Sequence, residues 1–223
     1  MELDIHIKMN EKLFLRDPYQ SALGRKIVSE GLKLINKIGF EEFTFKKLAL
    51  TCKTTEASIY RYFENKHRLL VYIINWYWSY IEYKVIFSIN NVNDSETKLK
   101  TIIRLLTIEP TITKTDFISE LFAYKLVMYE GSKTYLTRNV TRDNKDRLFK
   151  PYKDLCARIA GIIKEYNPRY KFPASMASTI LEMSHAQKFF KSNLPALTDA
   201  GSNDESIIIF LEHLLFTSIK ASK

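Results

Sequence analysis

Apolar residues recur mostly three or four positions apart along this chain of 223 residues, which is the period of an amphipathic α-helix. Only six glycines and six prolines interrupt the pattern. The sequence therefore predicts an all-α protein of about nine helices, with three helices in an N-terminal unit and a larger C-terminal helical bundle after them. The predicted helices span 18–38, 45–52, 56–63, 66–89, 96–108, 115–129, 144–166, 174–192 and 205–220.

Residues that start or stop helices set these boundaries. Asp17 followed by Pro18 favours a helix start, and Gly39 is free to take the left-handed conformation that ends a helix. Gly31 lies in the middle of the first helix, where glycine costs about 1 kcal/mol relative to alanine, and this indicates a close helix crossing. Residues 1–16 alternate apolar and polar side chains without a partner strand, so we expect an arm that packs loosely or is frayed.

The predicted helices 45–52 and 56–63 are short and are separated by a tight polar turn. At 100° per residue, the apolar side chains of the second one cluster on one side, whereas Ala57, Tyr60 and Arg61 lie opposite. Arginine can form two hydrogen bonds to guanine, and a tyrosine hydroxyl can reach a phosphate. This pattern is typical of a helix-turn-helix that presents its second helix to the DNA major groove. The residues expected to cap these two helices and the next one are Thr44, Thr55 and Asn65.

The charge of the chain favours a polyanionic partner. The formal net charge is +9, and residues 20–70 carry ten Lys or Arg against five Asp or Glu, a net charge of +5. The rest of the chain therefore holds only +4. A basic balance suits nucleic acid or an anionic membrane surface, and the concentration of charge around a compact turn favours DNA.

The helix-turn-helix segment contains, in order, Gly39-Phe40, Phe43-Thr44-Phe45, Leu48-Ala49, Ile59-Tyr60-Arg61-Tyr62-Phe63, Lys66 and Leu69-Leu70. In these residues it closely resembles the DNA-binding domain of TetR-family transcriptional regulators. The resemblance implies a ligand-responsive regulator, most often a repressor, that binds a near-palindromic operator as a homodimer. One departure is the turn, where Lys53-Thr54 replace the glycine and apolar residue that the family often has. Two outcomes are therefore expected: either Lys53 holds a strained left-handed conformation, or the turn itself is altered.

The resemblance also implies which residues meet DNA. Residues 55–61 would form the recognition helix, with Thr44, Tyr60 and Lys66 on backbone phosphates. The expected domains are an arm at 1–17, a helix-turn-helix domain at 18–66 and an effector-binding and dimerisation domain at 67–223. The full predicted DNA-binding set is Thr44, Lys46, Lys47, Lys53, Thr54, Thr55, Glu56, Ala57, Ser58, Tyr60, Arg61 and Lys66.

Two features of the C-terminal part admit functional interpretations. Residues 174–190 and 207–219 are more apolar than one buried stripe requires, which fits the family's four-helix dimer interface or ordinary core burial. Aromatic and methionine side chains of the middle helices either line an effector pocket or fill the core. The pocket candidates are Trp76, Tyr80, Tyr83, Phe117, Phe122, Tyr124, Met128, Met183, His185 and Phe189.

Other classes of protein fit the sequence less well. Glu64-x-x-His67 and Glu182-x-x-His185 match the spacing of di-iron helical bundles, but that chemistry needs two further glutamates. The charges do not line one face of an amphipathic helix, as a membrane-surface protein would require. We therefore expect a cytoplasmic protein that is not an enzyme, with no cofactor, no metal and no membrane partner.

Overall fold

The computed structural model describes residues 7–111, 117–201 and 203–220. Within these ranges the chain forms ten α-helices and short 3₁₀ turns, and no strand. The all-α prediction is confirmed, with one helix more than expected. The helices are α1 Ala22–Glu42, α2 Phe45–Cys52, α3 Glu56–Tyr60, α4 Lys66–Ile89, α5 Ser95–Thr107, α6 Glu120–Glu130, α7 Val140–Lys145, α8 Lys150–Tyr166, α9 Pro173–Asn193 and α10 Glu205–Lys220.

The first helix begins and ends differently from the prediction. Asp17 caps a short 3₁₀ turn, and α1 starts after Ser21, whose hydroxyl accepts a hydrogen bond from the Gly24 N–H. Gly39 has φ 78° and ψ 158°, a backbone region that essentially only glycine occupies. The helical conformation is interrupted there, as the glycine predicted, but one further turn continues to Glu42.

The helix-turn-helix region follows the predicted caps closely. The side chains of Thr44 and Thr55 accept hydrogen bonds from backbone N–H groups three residues later, each at 3.2 Å. Asn65 does the same for the Arg68 N–H at 3.0 Å. The predicted range of α2 is reproduced, whereas α3 ends at Tyr60 instead of residue 63. The residues after it turn inward, and Tyr62 and Phe63 are buried.

The prediction of a single helix at 144–166 is wrong, because the chain turns between α7 and α8. Arg147 has φ 58°, and the N–H of Leu148 donates to the carbonyl of Asp143 at 3.0 Å. This is the hydrogen-bond pattern of a helix C-terminus closed by a left-handed residue. Glycine usually occupies that position, so an arginine there left no signal in the sequence. The predicted start of α6, at 115–116, lies outside the described residues.

The chain forms two compact units. The first comprises residues 1–77 and 109–150, and its core contains α1, α2, α3 and the start of α4. Gly31 permits the expected close crossing, since a Cβ atom there would lie 3.0 Å from the Leu69 side chain. The second unit comprises residues 78–108 and 151–223 and is built from α5, α8, α9 and α10. The functional domain limits drawn from the sequence remain a prediction.

The described part of the N-terminal arm packs against the first unit, contrary to the expectation of a loose or frayed arm. Leu13 is buried, and the Leu15 N–H donates to the Tyr62 carbonyl at 2.8 Å. Lys12 forms an ion pair with Asp146 at 2.6 Å. Residues 1–6 of the predicted arm lie outside the described residues. No helix in the described ranges is both long enough and apolar enough to cross a membrane.

Candidate nucleic-acid interface

The recognition edge predicted from the sequence is exposed to solvent. Ile59 is fully buried and anchors α3 to the core, while Ala57 and Arg61 are exposed. Tyr60 is 47% exposed, and its ring packs edge-on against Phe45 of α2 at a centroid distance of 5.0 Å. This contact holds the aromatic ring and leaves the outer side of α3 open. The edge thus has the shape and chemistry needed to meet base edges and phosphates.

The turn between α2 and α3 takes the first of its two expected forms, with Lys53 in the left-handed region. Its φ and ψ are 54° and 50°, the left-handed region that costs roughly 1–2 kcal/mol for a residue with a Cβ atom. The Thr54 N–H donates to the Ala49 carbonyl at 3.0 Å, which closes the end of α2. The Lys53 side chain is exposed beside the recognition helix.

Hydroxyl groups at the start of α3 bond to each other. The side chains of Thr55 and Ser58 lie 2.9 Å apart, and Thr55 also caps the helix. Glu56, the first helical residue, is exposed. An acidic residue in the first turn complements the helix dipole but repels phosphate, so Glu56 fits base recognition better than backbone contact.

The cationic residues of α2 are not equivalent. Lys46 is exposed and forms no hydrogen bond or ion pair among the described residues. The Lys47 ammonium donates to the Glu42 carbonyl at 2.7 Å and lies 3.4 Å from the Glu42 carboxylate. Thr44, which caps α2, is exposed as well. Lys46 is therefore better placed than Lys47 to contact a phosphate.

Lys66, expected on a phosphate, is instead bound to three backbone carbonyl oxygens. Its ammonium donates to Phe40 at 2.9 Å and to Glu41 and Phe43 at 3.1 Å each. It also lies 4.7 Å from the centre of the Phe40 ring. An ammonium group has three N–H donors, and all three are used here. This geometry favours a role in holding the α1–α2 connection over a direct contact with DNA.

A carboxylate from α6 holds the same connection from its other side. The Phe40 N–H donates to Glu130 Oε1 at 3.0 Å, and Lys133 lies 2.8 Å from Glu130 Oε2 and 2.9 Å from Glu41 Oε1. These contacts raise the pKa of Lys133, and the hydrogen bond and charge of Lys133 lower the pKa of Glu41. Sequence reasoning missed Glu130, because no local pattern links two residues 90 positions apart.

The first turn of α4 is held by a second buried carboxylate that the sequence did not reveal. Asp143 is 2% exposed, and its oxygens lie 3.4 Å from Arg68 and 3.8 Å from His67. Burial lowers the pKa of His67, although the nearby Asp143 acts in the opposite direction. The His67 of the di-iron spacing thus faces an ion pair. No group of three potential metal ligands occurs within the described ranges.

The ten predicted effector-pocket residues divide between the two units. Tyr124 and Trp76 are buried, and Tyr83 is 40% exposed. Phe117 and Phe122 border an open groove of about 390 Å³ that Arg25, Lys26 and Lys33 also line. The first unit contains Trp76, Phe117, Phe122, Tyr124 and Met128, and the second contains Tyr80, Tyr83, Met183, His185 and Phe189.

His185 is part of the core of the second unit. Its ring meets Trp78 edge-on at 5.4 Å, and its Nδ1 lies 3.1 Å from the Ser184 hydroxyl. Burial lowers its pKa to about 4, so the imidazole is neutral at pH 7. A neutral, enclosed histidine suits either interpretation of the sequence, a core residue or a pocket wall.

The predicted dimer helices keep part of their apolar surface exposed. In α10, Ile209 is 60% exposed and Phe210 is 43% exposed, whereas Leu211 and Leu215 are buried within the second unit. In α9, Ala177 and the residues one turn further along are also buried. Part of the apolar surface noted in the sequence is therefore ordinary core, and the exposed remainder is available to a partner.

The helix-turn-helix region is similar to a known protein family. Residues 27–73 match the family model of the tetR family of bacterial regulatory proteins. That range runs from within α1 to within α4, so it contains every contact described above for α2 and α3. No curated protein matches the sequence significantly.

Several solved structures share the fold of nearly the whole chain. AibR in complex with isovaleryl coenzyme A and operator DNA has a TM-score of 0.61 and 18% identity over 87% of this chain and 99% of its own. The fatty acid degradation regulator FadR from Bacillus halodurans has a TM-score of 0.59 and 16% identity, over 85% and 96%. The superantigen PfiT has a TM-score of 0.57 and 16% identity, over 93% and 98%. At such identities the likeness establishes the fold alone.

Proposed function

We propose that this chain, whose residues 27–73 form a TetR-family amino-terminal domain, regulates transcription by binding operator DNA as a homodimer. The observation that carries the proposal is the exposed edge of α3. Ala57, Tyr60 and Arg61 project outward from a short helix whose opposite side, Ile59, is fully buried. A small residue beside a tyrosine and an arginine lets the helix approach base edges closely.

Arg61 and Lys46 have different roles in this interface. Arg61 caps the end of α3 and reads a guanine through two hydrogen bonds, which is the commonest specific contact in the major groove. Lys46 and the Tyr60 hydroxyl contact phosphates and set the orientation of the helix without reading sequence. Lys53, Thr54 and Thr55 lie at the turn and complete the backbone contacts.

A homodimer with a near-palindromic operator supplies the second half of the interface. Two recognition helices must reach half-sites about 34 Å apart, one turn of DNA. The exposed Ile209 and Phe210 of α10, with residues 174–190 of α9, form the surface that joins the subunits. Large exposed apolar side chains side by side are typical of such a surface.

The regulator responds to a small molecule and acts as a repressor. AibR, which has a similar fold, was crystallised with both a coenzyme A thioester and operator DNA, and this precedent supports an effector here. Effector binding selects a dimer geometry in which the recognition helices no longer match the half-sites. Glu130 of α6 and Lys66 of α4 both hold the α1–α2 connection. Movement of α4 or α6 would therefore shift α2 and, with it, the recognition helix α3.

The test is selection of genomic fragments by the purified full-length protein, compared with the Arg61→Ala variant. We expect an inverted-repeat sequence, and for the variant a loss of roughly 1–3 kcal/mol with a relaxed preference at one base position. An Arg61→Ala protein that keeps every base preference would refute the readout role. Selection of no common sequence by the wild type would refute the proposal as a whole, and iron in the purified protein would favour the di-iron alternative.

A further inference from the structure

A second basic segment lies far from the helix-turn-helix in the sequence. Residues 133–150 carry six Lys or Arg against two Asp, a net charge of +4. Residues 20–70 carry +5 of the total of +9, so the residues outside these two segments carry no net charge. The whole excess positive charge therefore belongs to two segments, and both lie in the first compact unit.

Four of the six cations of the second segment are exposed and form no ion pair among the described residues, whereas both of its acids are paired. Arg138, Arg142, Lys145 and Arg147 are exposed, and none of them forms an ion pair within the described ranges. By contrast, the carboxylate of Asp143 is buried against Arg68, and that of Asp146 is paired with Lys12. Because both negative charges are already matched, these four cations present an unneutralised positive surface, which we call the basic connector. The basic connector comprises residues 138–147.

The basic connector is joined to the start of α4, immediately after the recognition helix. The Asp143 carboxylate lies 3.4 Å from Arg68 and 3.8 Å from His67, both in the first turn of α4. An open polar groove of about 250 Å³ runs between that turn and the connector, with Asn65 and Lys66 on one wall and Asn139 and Arg142 on the other. Only the residues 61–65 separate α3 from this turn. The basic connector thus lies against the segment that directly follows the recognition helix.

We propose that the basic connector is a second DNA-backbone contact, which binds phosphates flanking the bases that α3 reads. This inference rests on the proposed function. Exposed cations strung along ten residues suit a repeating polyanion, since each neutralises one phosphate and releases condensed counterions. A single small anion would instead require the cations to converge on one enclosed position. The contact adds affinity without sequence preference, because phosphates carry no sequence information.

The test compares two double variants of the full-length protein that remove the same charge. Arg138→Gln with Arg142→Gln neutralises the basic connector, and Arg169→Gln with Lys171→Gln is the matched control. Arg169 and Lys171 are likewise exposed without an ion pair among the described residues, but they belong to the second unit. Affinity for the selected operator and for unrelated DNA is measured between 50 and 200 mM salt.

We expect the connector variant to bind both DNAs more weakly, by the same factor, and with a smaller salt dependence. Each lost phosphate contact reduces the slope of log affinity against log salt by about 0.9, or about 1.8 per bound subunit. Across a fourfold rise in salt, the wild type should then lose about tenfold more affinity than the variant for each bound subunit. The control should retain the wild-type slope.

Three outcomes would overturn the inference. One is an unchanged slope in the connector variant, the second is an equal effect in the control, and the third is a changed base preference. A wild type that selects an operator but shows one of these results refutes only the connector, whereas a wild type that selects no sequence refutes the proposed function first. If the first variant does not fold, the pair Lys145→Gln with Arg147→Gln gives the same measurement, since these side chains form no ion pair among the described residues either.

Discussion

The ammonium nitrogen of Lys66 lies 2.9 Å from the carbonyl oxygen of Phe40, and the backbone N–H of Phe40 donates to Glu130 at 3.0 Å. Both polar groups of one peptide residue are therefore held by side chains from other helices, α4 and α6. This residue follows Gly39, where the backbone leaves helical geometry. The position of α2 relative to α1 thus depends on two long-range contacts rather than on the chain between them.

Lys66→Met should lower the free energy of unfolding by about 2 kcal/mol, since hydrogen bonds from a charged group contribute roughly 1.5–3 kcal/mol. Methionine retains the length of the side chain but cannot donate to the three carbonyls. Denaturant titration measures the loss. The salt dependence of DNA binding should stay close to that of the wild type.

The matched control for this variant is Lys46→Met, on the exposed side of α2. It should leave the unfolding free energy within about 0.5 kcal/mol and reduce the salt slope of DNA binding by about 0.9. The opposite result, in which Lys66→Met keeps the wild-type stability but has a smaller salt slope of DNA binding, would show that Lys66 contacts a phosphate directly.

Glu130→Ala should destabilise the first unit by about 1–3 kcal/mol, because it leaves the Phe40 N–H without an acceptor. Hydrogen exchange at the Phe40 amide should accelerate more than exchange at the amides of α2. Glu41→Ala removes only the exposed partner of Lys133 and should cost much less than Glu130→Ala. Equal costs for the two variants would show that Glu130 contributes only its exposed ion pair.

Acid should destabilise the second unit through His185. Its pKa is about 4 in the folded protein against 6.5 for an unperturbed histidine, so the unfolded state binds the proton more tightly. Stability contributed by the neutral ring is complete above pH 6.5 and is lost as the pH falls towards 4. The loss should reach up to about 3 kcal/mol.

The variant His185→Phe isolates this effect, because phenylalanine can keep the edge-on contact with Trp78 and does not titrate. Its unfolding free energy should change less than that of the wild type between pH 6.5 and 4. His67, whose pKa is also lowered, contributes equally to both proteins and cancels in the difference. Identical pH profiles for the two proteins would contradict a buried neutral His185.

Ile209→Glu with Phe210→Glu should convert the proposed dimer into monomers with a folded second unit. Both side chains are exposed, so the substitutions leave the core residues of α10 in place, whereas removing α10 would also remove the buried Leu211 and Leu215. Light scattering after size-exclusion chromatography measures the mass. Leu136→Glu, at a position 75% exposed in the first unit, is the control and should stay dimeric. A dimeric double variant would place the interface elsewhere.

The sequence by itself determined the local features of the helix-turn-helix, namely its helix caps and the exposed edge of α3. Thr44, Thr55 and Asn65 accept hydrogen bonds from residues only three positions away, so the capping interactions could be read from neighbouring letters. The outward edge of α3 follows from the apolar spacing of the same segment.

Only the tertiary structure decided the contacts that hold this unit in place. Lys66 and Phe40 are 26 residues apart, and Glu130 and Phe40 are 90 apart, so no periodicity could pair them. The early end of α3 has the same origin. The hydroxyl of the buried Tyr62 lies 2.8 Å from that of Ser21, the residue that caps the start of α1. A hydrogen-bonded lysine and a phosphate-binding lysine look identical in a sequence, because the difference lies in which oxygens the fold brings within 3 Å of the ammonium group.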